Sequence, residues 1–224
     1  MNHMKTHYWY IEIFIYFCID FRPEIKYPSN IHIIDYTSRT IFHTCCRRGH
    51  FEVVKWLYQL NIEQNSLIDI HDDDDSAFEY GCRYDNLEVV KWLYQKSIEL
   101  NSPIDIHCDN ERFFRKSCRA GNVKVAKWLY QLGTKTNSPI NIHAKSEQAF
   151  RKGNFEVMKW LYRTSIKNSS PINIHIWNDD IFNECCKAGN FEIAEWLYQL
   201  SIETNSPIDP AVLNEYIWNI IDIQ

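Results

Sequence analysis

Four histidines recur at one position of a repeated pattern, and their side chains could either coordinate a metal ion or order a loop. His71, His107, His143 and His175 are separated by 36, 36 and 32 residues. A zinc site needs several ligand nitrogens about 2.0–2.1 Å from one ion. Because each repeat supplies a single histidine, the four are expected to lie too far apart to share an ion. We therefore predict that each histidine orders its own loop by hydrogen bonding and that the chain binds no metal.

A run of acidic residues directly follows the first of these histidines: Asp72, Asp73, Asp74 and Asp75. The run lacks the glycine and the terminal glutamate of a calcium-binding loop, so a specific calcium site is not expected. Two interpretations remain, a solvated loop that places negative charge at the start of the next helix, and an acidic contact for a basic partner. The corresponding candidates for partner contacts in the later repeats are Asp109, Asn110, Lys145, Asn178 and Asp179.

Basic residues cluster near the predicted end of the first helix in each repeat. Cations at helix C-termini are favoured by the helix dipole, which is a sufficient structural reason for them. If several of them also face a groove, they would form a basic strip that steers an acidic partner. The strip comprises Arg47, Arg48, Arg83, Lys116, Arg119, Arg151, Lys152 and Lys187, of which Arg83, Lys116 and Arg119 are our candidate contacts.

No residue pattern in the chain indicates catalysis. The sequence contains no GxSxG, GxxxxGK[ST], GxGxxG or HExxH motif. Catalysis also needs unlike groups that converge on one point, and repeated residues do not supply them. We predict that the protein is not an enzyme and uses no cofactor.

The elements that position these residues repeat along the whole chain. The heptapeptide EVVKWLY stands at 52–58 and 88–94, and variants of it stand at 124–130, 156–162 and 192–198. Self-similarity at a period of this size is typical of a solenoid, in which each unit buries its apolar face against its neighbours. The recurring tryptophans are expected to pack between units, although exposed binding hot spots are the alternative interpretation.

Composition is consistent with a folded protein that binds neither nucleic acid nor a membrane. Hydrophobic residues make up 45% of the 224 residues, which argues against disorder, and the formal net charge is −5. A nucleic-acid-binding surface needs basic residues that this balance does not provide. The apolar stretch at 8–21 is shorter than the ~20 residues of a spanning helix and carries charge, so a membrane anchor is only the second interpretation there. The cysteines that recur in the repeats are predicted to be small buried residues of an intracellular protein.

The first clear unit, residues 40–58, reads TIFHTCCRRGHFEVVKWLY. Thr40 is predicted to cap a short helix, Gly49 to turn the chain back, and a second helix to start near Phe51. The unit resembles an ankyrin repeat, in which the helix pair reads roughly TPLHxAAxxGHxxVVxxLL. Later units depart from this pattern at the helix start, and their form is similar to ankyrin arrays encoded by large DNA viruses. The resemblance covers about residues 30–210.

The resemblance implies an all-α, ankyrin-type solenoid of antiparallel helix pairs linked by protruding hairpin loops. Residues 1–38 are interpreted as a degenerate N-terminal half-repeat or cap, residues 39–209 as five ankyrin-like repeats, and residues 210–224 as a C-terminal capping helix. The fourth repeat is four residues shorter than the third, which corresponds to about one helical turn.

The resemblance also implies a protein–protein interaction module, whose concave face of loop tips and inner helices binds a partner. The expected partner is a protein, a host protein if the chain is viral, and the chain is expected to be a cytoplasmic monomer that is not secreted. A structural or vestigial repeat array without a specific partner is the alternative, which the truncated fourth repeat would also fit.

Overall fold

The computed structural model of the protein describes residues 35–63 and 68–213. Ten helices lie entirely within these residues, a further helix begins at 210–213, and the described residues contain no strand. The predicted half-repeat at 1–38 and the predicted cap at 210–224 lie mostly outside the described residues. The helices are α1 (Asp35–Arg48), α2 (Phe51–Glu63), α3 (Asp72–Arg83), α4 (Leu87–Glu99), α5 (Cys108–Arg119), α6 (Val123–Lys135), α7 (Ala144–Arg151), α8 (Phe155–Lys167), α9 (Ile176–Lys187) and α10 (Phe191–Glu203).

The chain divides into two compact units, and the first is Met1–Asp105. In this unit α1 packs on α2, α3 packs on α4, and the two inner helices α1 and α3 lie side by side. Its core contains Phe42, Val54, Phe78 and Val90, each of which is fully buried. These residues come from both helices of each pair, so each pair buries one face of its inner helix and one face of its outer helix.

The second unit, Ile106–Gln224, contains α5 to α10. Here α5 packs on α6, α7 on α8 and α9 on α10, and the inner helices α5 and α7 lie side by side. Phe114, Leu129, Phe150 and Leu161 are fully buried in its core. Each unit is therefore an all-α repeat of helix pairs, as the sequence predicted. No helix in the part of the chain that the structure describes is long and apolar enough to cross a membrane.

The predicted start of the first helix is wrong. α1 begins at Asp35, so Thr40 lies inside the helix and its carbonyl accepts a hydrogen bond from the Thr44 hydroxyl at 2.8 Å. The prediction was based on the short polar side chain of Thr40, which precedes an apolar run as an N-cap residue does. Threonine is also found inside helices, where its hydroxyl can donate to the carbonyl four residues earlier, as Thr44 does here.

Three of the turns between paired helices place a glycine in the left-handed backbone conformation, at Gly49, Gly121 and Gly189. Gly49 has φ of +74° and Gly121 has φ of +80°, a region that costs glycine little. A Cβ on Gly49 would lie 2.2 Å from the side-chain oxygen of Asn86. The Asn86 amide itself donates to the carbonyls of Cys46 and Arg47, both at 2.8 Å, so this first turn also receives a cap from the next repeat.

The links between repeats are held by a buried polar residue of the preceding outer helix. Asn61 accepts a hydrogen bond from the backbone of Ile68, and Ser97 accepts one from Ile104 at 3.0 Å. Ser165 accepts the equivalent bond from Ile172 at 3.1 Å. These three bonds satisfy buried backbone N–H groups of the links. The link after α6 lacks the bond, because Gly133 stands at the equivalent position.

The seven cysteines within the described residues are free thiols, and all except Cys108 are buried. Burial raises the pKa of Cys185 and of Cys186 to about 11, so both thiols stay protonated and unreactive at neutral pH. The prediction that these residues are small core side chains is confirmed.

Candidate partner-binding surface

Four inner helices of the two units begin with the same unusual turn. In α3, α5, α7 and α9, three consecutive residues near the helix start have φ between 46° and 65°. None of these twelve residues is glycine, and the left-handed region costs other residues roughly 1–2 kcal/mol each. The surrounding structure must therefore offset this cost, and a repeated side-chain contact contributes to doing so.

The contact joins the histidine before each helix to a carboxylate four residues later. The distance from histidine Nδ1 to a carboxylate oxygen is 2.7 Å for His71–Asp75, 3.0 Å for His107–Glu111, 2.7 Å for His143–Glu147 and 2.5 Å for His175–Asp179. The last three carboxylates are buried. A hydrogen bond to a charged group contributes about 1.5–3 kcal/mol, which offsets part of the cost of the three left-handed residues.

Two of these carboxylates also accept a hydrogen bond from the link that follows. The backbone N–H of Asn141 donates to Glu111 at 3.1 Å, and that of Asp209 donates to Asp179 at 2.8 Å. The prediction that the histidines order loops is confirmed. The carboxylate partner was not recognised from the sequence, although the spacing H-x-x-x-[DE] is present in all four repeats and was the available signal. No group of three or more potential metal ligands converges within 35–63 or 68–213.

The closed turns project part of the predicted contact set into solvent. Asp73, Asp74, Asp109, Asn110, Lys145 and Asn178 are exposed there, and we call these residues, together with Trp177, the tip residues. Asp72 and Asp75 are half-buried, because Asp72 pairs with Arg39 at 2.5 Å and Asp75 contacts His71. Asp179 is only 4% exposed. Its carboxylate serves the turn and the next link, so it is not available to a partner.

Two neighbouring tips of the second unit are joined by an ion pair. The Lys145 ammonium donates to the Asp109 carboxylate at 2.9 Å, and both side chains remain largely exposed. This hydrogen bond from Lys145 lowers the pKa of Asp109 below its usual range. The pair therefore presents a fixed acceptor and a fixed donor side by side.

The three basic candidates lie toward the ends of inner helices. Arg83 is exposed, with Glu79 at 3.8 Å, and Arg119 is the exposed last residue of α5. Lys116 is half-buried one turn earlier. These positions fit the helix dipole and leave Arg83 and Arg119 accessible.

An exposed tryptophan at the tip before α9 was not identified from the sequence. Trp177 is 60% exposed and belongs to the left-handed turn, with φ of +53°. The Arg151 guanidinium lies 3.7 Å from its ring centroid, a cation–π contact. The available signal was its position, because the other repeats carry Asp73, Asp109 or Lys145 there.

The tryptophans of the repeated heptapeptide pack between outer helices, as predicted. All five are half-buried. Trp92 meets Tyr58 of the preceding outer helix edge-on, with centroids 5.3 Å apart. Trp160 meets Tyr130 at 5.9 Å in the same way, so these rings stack successive pairs and contribute to the core.

In the first unit, a polar hollow of 430 Å³ opens between α1 and α3. His43 and Tyr80 lie in it with ring centroids 5.8 Å apart, and Asp72 and Asp73 form its edge. Burial lowers the pKa of His43, and the two carboxylates oppose that shift only in part. Arg39 and Arg47 also line the hollow, so it presents an imidazole between acidic and basic groups.

The pairing of inner and outer helices, with turns that project outward, defines a helical repeat protein. Residues 22–104 match the family model described as ankyrin repeats (3 copies). The resemblance deduced from the sequence is confirmed for this range, and so is the fold class, an all-α repeat solenoid. Ankyrin repeats are generally protein–protein interaction modules. A search of curated proteins found no match.

Proposed function

We propose that this chain binds a protein partner through its tip residues and inner helices, without catalysis. The observation that carries the proposal is Trp177, a large aromatic side chain that is 60% exposed on a turn fixed by the buried His175–Asp179 contact. Covering an exposed indole with a partner removes a large apolar surface from water, which favours binding. Tryptophan and arginine are also the residues most enriched among interface hot spots, and Arg151 already stacks on this ring.

The polar tips give such an interface its specificity. In the second unit Asp109, Asn110, Lys145 and Asn178 offer exposed donors and acceptors on the same kind of turn as Trp177. Lys116 and Arg119 extend the candidate surface along α5. In the first unit the candidate contacts are Arg83 and the acidic run, of which Asp73 and Asp74 are the most accessible. Asp179 is withdrawn from this set because it is buried.

A preorganised turn also explains why such an interface could be selective. The left-handed residues are held before binding, so little conformational entropy is lost when a partner docks. If the chain is viral, as its resemblance to viral arrays suggests, the partner is a host protein met in the host cytoplasm, bound by a monomeric scaffold. A structural array without a partner is the alternative, which the short α7 favours.

The experiment compares Trp177→Ala with Ile202→Ala, a change at another exposed apolar residue, 52% exposed on α10. Partners retained by the natural protein from a cell lysate are identified by mass spectrometry, and one purified partner is then titrated calorimetrically. We expect the affinity to fall at least tenfold, a loss of about 1.4 kcal/mol or more, for Trp177→Ala and to stay unchanged for Ile202→Ala. Equal affinity of both variants would remove Trp177 from the interface, and no retained partner would favour the structural array.

A further inference from the structure

We propose that the groove between the outer helices α6 and α8 binds an acidic peptide segment of a partner protein. The groove has a volume of 690 Å³ and is lined by Lys127, Tyr130, Lys135, Trp160, Lys167 and Asn168, among others. It lies on outer helices rather than on the tips, so it constitutes a second surface. The proposal does not depend on the function proposed for the tips.

The floor of the groove is aromatic and fixed. Trp160 is half-buried and meets Tyr130 edge-on at 5.9 Å. The Tyr130 hydroxyl in turn accepts a hydrogen bond from the Asn168 side-chain amide at 2.8 Å, which ties α8 back to α6. An aromatic floor of this kind provides a contact for one apolar side chain of a ligand.

The rim of the groove carries positive charge without a matching negative group. Lys127, Lys135 and Lys167 are exposed, and no carboxylate from residues 35–63 or 68–213 lines the groove. Within the described residues, none of the three forms an ion pair, although Lys127 also stacks over the Trp160 ring. The carboxylate of Glu156 interacts electrostatically with Lys127, but its hydrogen-bonding partner is Lys159 at 2.7 Å.

Other lysines on the outer helices behave differently. Lys55, Lys91, Lys96 and Lys159 each lie within 2.6–3.3 Å of a glutamate three residues away on the same helix. The groove lysines lack this intrahelical partner. Charge complementarity therefore points to a ligand that brings its own carboxylates.

The repeat register shows that two of these lysines are local departures from the pattern. Seven residues after the tryptophan, the five repeats carry Glu63, Glu99, Lys135, Lys167 and Glu203. Each of these residues ends its outer helix, where the dipole favours a cation. Because three repeats fold with glutamate there, the fold does not require lysine at this position. The charge is reversed only in the two adjacent repeats that form the groove.

The size and charge of the groove favour a short peptide over a longer polyanion. Its two walls are helices of 13 residues, about 20 Å long. Three lysines can match two or three carboxylates, and the floor can receive one apolar side chain. Nucleic acids and anionic membranes need a wider basic surface, and the chain as a whole carries a formal net charge of −5.

The test uses the full chain and two pools of fluorescein-labelled ten-residue peptides. One pool carries Glu or Asp at three fixed positions around a central Phe, Tyr or Leu. The other carries Gln or Asn at those positions and is otherwise identical. We expect the acidic pool to bind more tightly than the amide pool by fluorescence anisotropy. The best acidic peptide should lose at least tenfold in affinity against the variant Lys135→Glu/Lys167→Glu, which restores the residue of the other repeats.

The matched control is Lys91→Glu/Lys124→Glu. It makes the same change in net charge at exposed positions of outer helices that do not line the groove. Lys124 also stands where the other four repeats carry glutamate, so both variants follow residues that the fold already accepts. Circular dichroism establishes that each variant is folded. The control should retain at least half of the natural affinity.

Three results would overturn the proposal. The amide pool could bind as tightly as the acidic pool, or the control could lose as much affinity as the groove variant, which would indicate a general charge effect. A single-stranded oligothymidine or a phosphatidylserine vesicle could also bind the natural protein more tightly than any peptide, again with loss in the groove variant. That outcome would identify a polyanion surface instead of a peptide site.

Discussion

Helices α5 and α7 begin with the same left-handed turn, but different contacts hold the two turns. In α5, Arg115 is buried, and its guanidinium donates to the carbonyls of Asp109 and Asn110, both at 2.7 Å, and to the side chain of Gln148. In α7 the equivalent residue is Arg151. It is half-buried, reaches the carbonyl of Ser146 only at 3.5 Å, and stacks on Trp177.

The carboxylates of the two turns differ in the same direction. Glu111 of α5 contacts His107 with both oxygens and also accepts from the backbone of Asn141. Glu147 of α7 contacts His143 through one oxygen, while its other oxygen is buried and has no hydrogen-bonding partner within the described residues. The arginine at one repeat position therefore has two roles. In α5, Arg115 stabilises the turn, whereas in α7 Arg151 contacts the exposed ring of Trp177.

The largest effect should come from removing the buried arginine. Arg115→Ala would leave two turn carbonyls without their donor and should lower the free energy of unfolding by roughly 3 kcal/mol. Urea denaturation of the variant and of the natural protein measures this loss in the free energy of unfolding. Arg151→Ala is the matched control and should cost less than ~1 kcal/mol, because an exposed cation–π contact contributes little to stability. Equal losses for the two variants would show that the two turns are held alike.

A smaller difference should separate the two carboxylates. Glu111→Gln places an amide where two donors point at a carboxylate, and we expect a loss of about 1.5 kcal/mol. Glu147→Gln keeps the oxygen that faces His143 and puts its amide at the position without a partner, so the loss should stay below ~0.5 kcal/mol. Thermal unfolding of both variants at pH 7 provides the comparison. A greater loss for Glu147→Gln would contradict our description of the α7 turn.

The shorter helix should also open more easily. α7 has 8 residues against 12 in α5, and the missing turn contains the position at which α5 buries Cys118. Fewer buried contacts lower the free energy of local opening, by about 1 kcal/mol if the loss equals one net hydrogen bond. Native-state hydrogen exchange should therefore show the amides of 148–151 exchanging before those of 112–118. Equal protection in the two helices would mean that neighbouring packing compensates for the missing turn.

Sequence periodicity predicted the helix pairs because apolar residues recur where both helices of a pair face the core. Val54 and Val90 occupy equivalent positions in two repeats, and both are fully buried. The left-handed turns could not be predicted in this way. Seven of their twelve residues are aspartate or asparagine, which adopt this region more readily than most residues. The other five are glutamate, lysine, serine and tryptophan, so residue type alone does not define the turns. The histidine–carboxylate contact, which depends on a residue four positions away, offsets part of their cost.

The same turn explains why the predicted site was only partly right. Acidic residues in a loop usually lie in solvent, and this held for Asp73 and Asp74. Asp179 belongs to the same kind of loop, yet it is buried because it stands four residues after His175. Position within the turn, rather than charge, decides which of these side chains is exposed. That rule would also have predicted that Trp177, two residues after His175, is exposed.

The smallest predicted effect concerns the ion pair between two tips. The hydrogen bond from Lys145 lowers the pKa of Asp109 below its ordinary value of 3.8, so ionised Asp109 favours the folded state above that pH. This contribution should disappear as the pH falls through the lowered pKa.

In Lys145→Met, carboxyl ¹³C titration by NMR should show the pKa of Asp109 moving up toward 3.8. The acid dependence of stability between about pH 4 and pH 2 should become slightly weaker. Because Asp109 is exposed, salt should weaken the effect in the natural protein as well. An unchanged pKa in Lys145→Met would mean that the two tips are independent and that only the turns themselves, not their charges, are preorganised.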